Sequence, residues 1–289
     1  MIYLNGEWMP IEQAKIPVLD RGFIFGDGVY EVIPSYSGHP FRLREHLVRL
    51  QSSLDAVRIA NPYDLDRWES LVCEVVAKNP WEDQGVYLQV TRGVAPRDHA
   101  FPKGVTPTVF MMANQLVTPP QSLRERGVAA ITVPDNRWLR CEIKSISLLA
   151  NCLLRQAAVD AGAAESVLLR DGMLTEGSAS NIFLAKNGVI ITPPKSNFIL
   201  PGITYDVVIE LARTNGLPLE IRQVSEAELR SADELWLTSS TKEVLPISTL
   251  DARPVGHGES AGKPGPVAAR MNQLYQAYKR TVMRAPANG

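Results

Sequence analysis

The stretch "CEIKSISLLANCLLRQAA", Cys141–Ala158, holds a single lysine, Lys144. Its neighbours in sequence are mostly apolar or small, and one acid, Glu142, stands two positions before it. A solvated lysine usually sits on a polar face among other charges. Here Arg140–Ile143 reads as a short strand-like run and Ser145–Asp160 as a helix, so the ammonium falls at the boundary of two elements. Taken alone, such a lysine is more often solvated than functional, because buried lysines are rare. The rest of the chain decides between the two.

The chain has 289 residues, which suits one large domain or two ordinary ones. Its 30 basic residues balance 31 acidic ones, so the charge points to neither a nucleic-acid nor an anionic-membrane partner. No apolar run is long enough to span a bilayer. The opening "MIYLNGEWMP" has neither a basic nor an apolar leader region, so no signal peptide is expected. Cys73, Cys141 and Cys152 make no CxxC pair, and the four histidines do not cluster, so neither a disulfide framework nor a metal site is expected. A reduced, cytoplasmic protein follows as the expectation.

The opening reads as a β-hairpin turning at Asn5–Gly6. Leu43–Val57 and Asp64–Lys78 have helical apolar spacing. "GVYLQVTRG" (Gly85–Gly93) and "PTVFMMANQL" (Pro107–Leu116) read as strands. "VTPPQS", Val117–Ser122, is the best linker candidate, with adjacent prolines among polar neighbours. This divides the chain into residues 1–116, a linker 117–122, and residues 123–289. Beyond the linker come a strand "VAAITVP", the Lys144 stretch, and hairpins at Asp171–Gly172 and Asn187–Gly188. A helix follows, ending at Gly216, then a strand "ADELWLTSST" and a last helix over Pro266–Arg284. Hairpins mixed with helices predict an α+β fold rather than a doubly wound parallel sheet.

Four further segments carry chemistry. In "LTEGSASNIF" (Leu174–Phe183), Glu176 follows a strand and precedes a loop of small residues. In "LPGITYDVV", Gly202 frees the backbone, and the N–H groups of Ile203 and Thr204 open a helix, a ready anion site. "LTSSTKEV" puts Ser239, Ser240 and Thr241 at a strand end, where hydroxyls bind phosphate or cap the loop. In "RGVAPRDHAFP" (Arg92–Pro102), Arg97 and His99 share one face if the loop is extended, and together they would grip a carboxylate. Each segment alone is also read as an ordinary turn, helix start or polar loop. A lysine amine, a carboxylate, a phosphate cradle and a cationic clamp are together the protein parts that pyridoxal 5′-phosphate (PLP) requires.

"EIKSISLLANCLLRQAA", "LTEGSASNIF" and "LPGITYDVV", in that order, resemble the class-IV aminotransferases, the fold-type IV PLP enzymes. The resemblance runs from "DRGFIFGDGVYEVI" (Asp20–Ile33) to "LTSSTKEVLPI". It implies a smaller N-terminal α/β domain and a larger C-terminal pseudo-barrel α/β domain that binds PLP. It also implies that Lys144 is the Schiff-base lysine and moves the substrate α-proton. That role requires a lysine partly neutral near pH 7, below the usual value of about 10.4. Glu176 resembles the partner of the pyridine nitrogen, and Leu200 the residue packed on the ring face. Arg49, in "HLVRLQSSL", resembles the phosphate-binding arginine, aided by backbone at Ile203 and Thr204 and by Ser240 and Thr241. Tyr30, Arg97 and His99 match the carboxylate clamp of the D-amino-acid branch of the family.

That match implies a ping-pong transamination between a D-amino acid such as D-alanine and a 2-oxo acid such as 2-oxoglutarate. Branched-chain L-amino-acid transaminases, (R)-amine transaminases and 4-amino-4-deoxychorismate lyases are the alternatives. A homodimer is implied as well. Ala179 departs from the pattern, since many relatives carry a serine there. The Gly26-x-Gly28 pair follows no nucleotide fingerprint and reads as a tight loop.

Overall fold

Asn5–Gly6, Asp171–Gly172 and Asn187–Gly188 each turn with positive φ at both residues: 50° and 101°, 51° and 75°, 50° and 79°. Asparagine and aspartate tolerate this region and glycine enters it freely, so these pairs set three antiparallel hairpins. The computed structural model describes residues 1–285. They fall into two compact units: one of residues 1–117, 143–148 and the C-terminal stretch from Thr281, the other of residues 118–142 and 149–280.

The first unit holds β1 (Ile2–Leu4), β2 (Glu7–Met9), α1 (Arg21–Phe25), β3 (Gly28–Tyr36), β4 (His39–Pro40), α2 (Leu43–Ala56), α3 (Leu65–Ala77), β5 (Gln84–Thr91) and β6 (Thr108–Gln115). Its antiparallel sheet runs β2-β1-β6-β5-β3-β4. In β5 the alternate residues Val86, Leu88 and Val90 are buried, as period-two spacing dictates. Leu47, Leu50 and Leu54 of α2 and Trp68, Leu71, Val72 and Val75 of α3 share one core with them, each set spaced three or four apart. Asp64 caps α3 by accepting from the Arg67 N–H at 2.8 Å.

Residues Ile143–Leu148 belong to this unit, although the sequence reading put them beyond the linker. They run extended beside the start of β3, where the Tyr30 N–H donates to the Lys144 carbonyl at 2.9 Å and the Ile146 N–H to Gly28 at 3.1 Å. These bonds hold the backbone out of a helix, so the expected helix over Ser145–Asp160 begins only at Leu149. Arg140–Ile143, expected as strand-like, is not a strand: Cys141 and Glu142 form a turn and Ile143 a bend.

The second unit holds α4 (Gln121–Arg126), β7 (Val128–Pro134), α5 (Leu149–Asp160), β8 (Glu165–Arg170), β9 (Met173–Gly177), β10 (Asn181–Lys186), β11 (Val189–Thr192), α6 (Ile203–Thr214), β12 (Leu219–Ile221), α7 (Glu226–Arg230), β13 (Glu234–Ser239), β14 (Glu243–Leu250), β15 (Arg253–Pro254) and α8 (Pro266–Tyr278). Its sheet runs β12-β11-β10-β13-β14-β7-β8-β9, with β15 on β14. It is mixed, with β11–β12, β14–β7 and β7–β8 parallel. Only Ser178–Ser180 join edge strand β9 to β10, which lies inside the sheet, so the sheet curls to bring its edge back towards β10. The chain is therefore α+β, as expected. Among the described residues no helix is long and apolar enough to cross a membrane.

Leu88 is fully buried at the centre of the first unit's sheet. Leu88→Ala should lower unfolding free energy by about 3 kcal/mol in urea denaturation, the usual cost of a core cavity.

Candidate active site

In the first unit, α2 and β3 bring a group of charges to the extended segment that carries Lys144. The Lys144 ammonium lies 4.1 Å from the centre of the Tyr30 ring, a cation–π contact. Its backbone N–H donates to Ser53 Oγ on α2 at 3.2 Å. Tyr30 is stacked on Tyr87, with ring centres 5.7 Å apart. Arg49 makes a two-point bond to the fully buried Glu31, Nε to Oε1 and Nη2 to Oε2, both at 2.8 Å. His46, one helical turn before Arg49, places Nδ1 2.8 Å from Glu31 Oε2, and its Nε2 is buried with no hydrogen-bond partner.

Burial alone would raise the Glu31 pKa, but the Arg49 charge and the hydrogen bonds from Arg49 and His46 outweigh it and hold the carboxylate ionised. Burial lowers the His46 pKa, and Arg49 and Lys144 lower it further against the pull of Glu31. The imidazole is thus neutral beside two cations.

Arg97 and His99 are exposed on the loop after β5. Both meet the Phe25 ring: the Arg97 guanidinium lies 5.4 Å from its centre and the His99 ring 5.5 Å. The structure thus joins Tyr30 with Lys144, and Arg97 with His99 around Phe25. The Gly26-x-Gly28 stretch makes the tight link between α1 and β3. Gly26 ends α1 in the left-handed region, and a Cβ on Gly28 would lie 2.6 Å from the Val90 carbonyl oxygen.

In the second unit, Glu176 is buried at the end of β9. Its Oε1 accepts from Arg137 Nη1 at 2.5 Å, and its Oε2 from the Leu200 N–H at 3.0 Å and Asn181 Nδ2 at 3.2 Å. Burial pushes the Glu176 carboxyl up to about 7 despite the Arg137 charge. Burial also opposes the charge of Arg137, but hydrogen bonds to Asp135 and Glu176 outweigh it, so the guanidinium holds its proton more tightly than usual. Asn181 Nδ2 also donates to the Leu200 carbonyl at 3.0 Å, which ties Leu200 to Glu176. A Cβ on Gly202 would lie 2.1 Å from Asn181 Oδ1, so a side chain there would push the Asn181 amide from its place.

Helix α6 begins at Ile203 with no side-chain cap, and Ile203 and Thr204 are both buried in its first turn. Thr238 pairs with Asn181 across β13 and β10, and its Oγ1 is buried with no partner. The next residues lead to Ser240, half-buried, and Thr241, exposed, in the β13–β14 turn. The loop after Glu176 is fixed by buried Glu165, which accepts from the hydroxyls of Ser178 and Ser180 and the Ser178 N–H. Ala179 is the exposed residue of that loop and takes no part in the bonding to Glu165.

Sequence reading missed Glu31, His46, Ser53, Arg137, Asn181 and Glu165. The three-residue spacing of His46 and Arg49 on one helix was a usable signal. Arg137 stands in an unremarkable turn, and nothing local marks it.

A family model for amino-transferase class IV matches residues 28–250. The chain belongs to the class IV aminotransferases. This aminotransferase is 42% identical to a D-alanine aminotransferase of Bacillus licheniformis over 275 residues, 95% of each chain. It is 37% identical to a D-alanine aminotransferase of Staphylococcus haemolyticus, over 96% of this chain and 97% of that one. Among solved structures, the branched-chain amino acid aminotransferase of Escherichia coli is similar with a TM-score of 0.88 at 28% identity, covering 96% of this chain and 93% of that one. The branched-chain aminotransferase of the archaeon Thermoproteus uzoniensis, solved with norvaline, is similar with a TM-score of 0.83 at 28% identity, covering 98% and 94%. The aminotransferase thus shares the fold of these enzymes.

Glu31 is wholly buried and pairs with the partly buried Arg49 guanidinium, so Glu31→Gln should cost about 3 kcal/mol in denaturant unfolding. His46 is the second test. Its folded pKa lies below the ordinary 6.5, so the unfolded chain takes up the proton first and stability is lost as pH falls below that value. Between pH 6.5 and about 5, the wild type should lose stability more steeply than His46→Gln.

Proposed function

We propose that this chain is a D-amino-acid transaminase, moving the amino group between D-alanine or a related D-amino acid and a 2-oxo acid such as 2-oxoglutarate. The observation that carries the reading is the similarity to D-alanine aminotransferases at 37–42% identity over nearly the whole of both chains. The branched-chain reading is the alternative, favoured by the solved structures with TM-scores of 0.88 and 0.83 at lower identity.

Pyridoxal 5′-phosphate is the cofactor we propose, and the residues fit it. A buried carboxyl, Glu176, is pushed up to about 7 and meets Arg137. A glycine-led helix start, two turn hydroxyls and the orphaned Thr238 Oγ1 lie in the same unit. When bound, the cofactor supplies an electron sink for bonds broken at the amino-acid α-carbon. Glu176 would hold the pyridine nitrogen, its carboxylate aimed by Arg137 and the Leu200 N–H. Leu200 would pack on the ring face. Arg49, the first-turn amides of Ile203 and Thr204, and the hydroxyls of Ser240 and Thr241 would hold the phosphate.

Lys144 would bind the cofactor aldehyde and then carry the α-proton at its Nζ. Tyr30, Arg97 and His99 would bind the substrate carboxylate. The side on which that carboxylate is held decides which enantiomer aims its α-hydrogen at Lys144. A homodimer and a cytoplasmic setting belong to the same reading. Exposed Phe23, Trp138, Leu139, Leu149 and Leu153 supply apolar surface of the kind a partner covers.

Purified protein with PLP should form pyruvate from D-alanine and 2-oxoglutarate, with L-leucine at least about 100-fold poorer in kcat/KM. The opposite preference would establish the branched-chain alternative. Lys144→Ala should cut kcat by about 1,000-fold or more. Arg97→Ala should raise KM for D-alanine by about 10- to 100-fold, the range for loss of a charged hydrogen bond. Equal losses on a plain amine would remove the clamp from the account.

A further inference from the structure

The turn between β13 and β14 carries Ser240 and Thr241, and it stands open to solvent at Thr241. Its return residue is Glu243, which pairs with Ser239 across the ladder. Glu243 has φ of 57°, in the left-handed region where glycine is the usual occupant. A non-glycine residue there calls for a compensating contact, and the side chain supplies one.

The Glu243 carboxylate is wholly buried. Its Oε1 accepts from Lys279 Nζ at 2.7 Å. Its Oε2 accepts from Arg124 Nη2 and from Gln276 Nε2, each at 2.7 Å. Three donors thus reach one carboxylate, from α4 and from the C-terminal end of α8. None of the three is a residue assigned above to cofactor or substrate. The other end of the turn is held separately. The Lys242 N–H donates to Ser239 Oγ at 3.0 Å, and Lys242 Nζ to Glu165 Oε2 at 3.2 Å.

We infer that Glu243 is a positioning residue for phosphate binding: its anchored side chain holds the backbone in the left-handed turn that presents Ser240 and Thr241. The inference rests on the proposed function, because it takes those hydroxyls as phosphate ligands. A carboxylate gripped by two cations and an amide is a stiff support for a turn whose tip faces solvent. Such support matters because ordering loosely held hydroxyls around a phosphate would weaken its binding.

The test uses the apo protein titrated with pyridoxal 5′-phosphate and, separately, with pyridoxal, which lacks only the phosphate, followed by tryptophan fluorescence. Glu243→Gly suits the backbone and removes the anchor, leaving Lys279 and Arg124 without this carboxylate. Its Kd for pyridoxal 5′-phosphate should rise about tenfold, while that for pyridoxal stays within about twofold. Lys279→Gln leaves the turn backbone alone and removes one donor's charge. It should show the same selective loss to a smaller degree, and it decides the matter if Glu243→Gly does not fold. Equal losses for both probes, or unchanged affinity for pyridoxal 5′-phosphate in both variants, would overturn the inference and leave the proposed function standing. Wild-type protein that binds neither probe would overturn both.

Discussion

Two backbone hydrogen bonds, Tyr30 N–H to Lys144 O and Ile146 N–H to Gly28 O, hold the lysine segment against the start of β3. Everything around Lys144 follows from that pairing. It sets the ammonium over the Tyr30 ring and brings its backbone to Ser53. It also fixes Lys144 near α2, whose other residues on that side are His46 and Arg49. A helix over the same residues would satisfy the backbone internally and leave none of these contacts. The β3 edge wins because it offers the segment backbone partners together with a buried place for Ile143.

Two buried glutamates show how the chain sets charge by environment. Glu31 has an arginine bonded through two nitrogens and a histidine, and the Arg49 charge together with the hydrogen bonds overcomes burial. Glu176 has one arginine contact, a backbone N–H and an amide, and burial prevails, raising it to about 7. The first carboxylate is therefore a fixed charge that orients Arg49. The second sits near its own titration point, where a cationic ligand group would draw out the proton with little cost. Arg137 keeps that balance from shifting further, since its remaining nitrogens are bonded to Asp135 and the Phe198 carbonyl.

Much of this was legible in the residues. The three glycine-containing turns, the helices at Leu43 and Leu65 and the strand at Val128 are local matters of spacing and turn chemistry, and they fall where the spacing puts them. The α+β class followed from the mixture of hairpins and helices. The start of α5 was not legible, because Ser145–Leu148 are compatible with a helix and are overridden by pairing with β3, more than a hundred residues earlier. Arg137 and Asn181 matter through what they touch in space, and no short pattern marks them. The same holds for Glu243: its neighbours in sequence suggest a plain strand start, and only φ and three distant donors reveal its tension.

The first unit is discontinuous in sequence, and this governs the order in which it can form. A ribosome that has released residues 1–117 has released the unit's sheet and its helices α1, α2 and α3 without the lysine strip. Ile143 is part of that unit's buried core, so the core is incomplete until the strip arrives. The contacts of Lys144 close loops of about ninety and more than a hundred residues, to Ser53 and Tyr30. Loop closure of that length is entropically costly and slow. Lys144 is thus among the later pieces to be seated, and a chain halted early in synthesis would carry the first unit's sheet with its core unfinished and without Lys144.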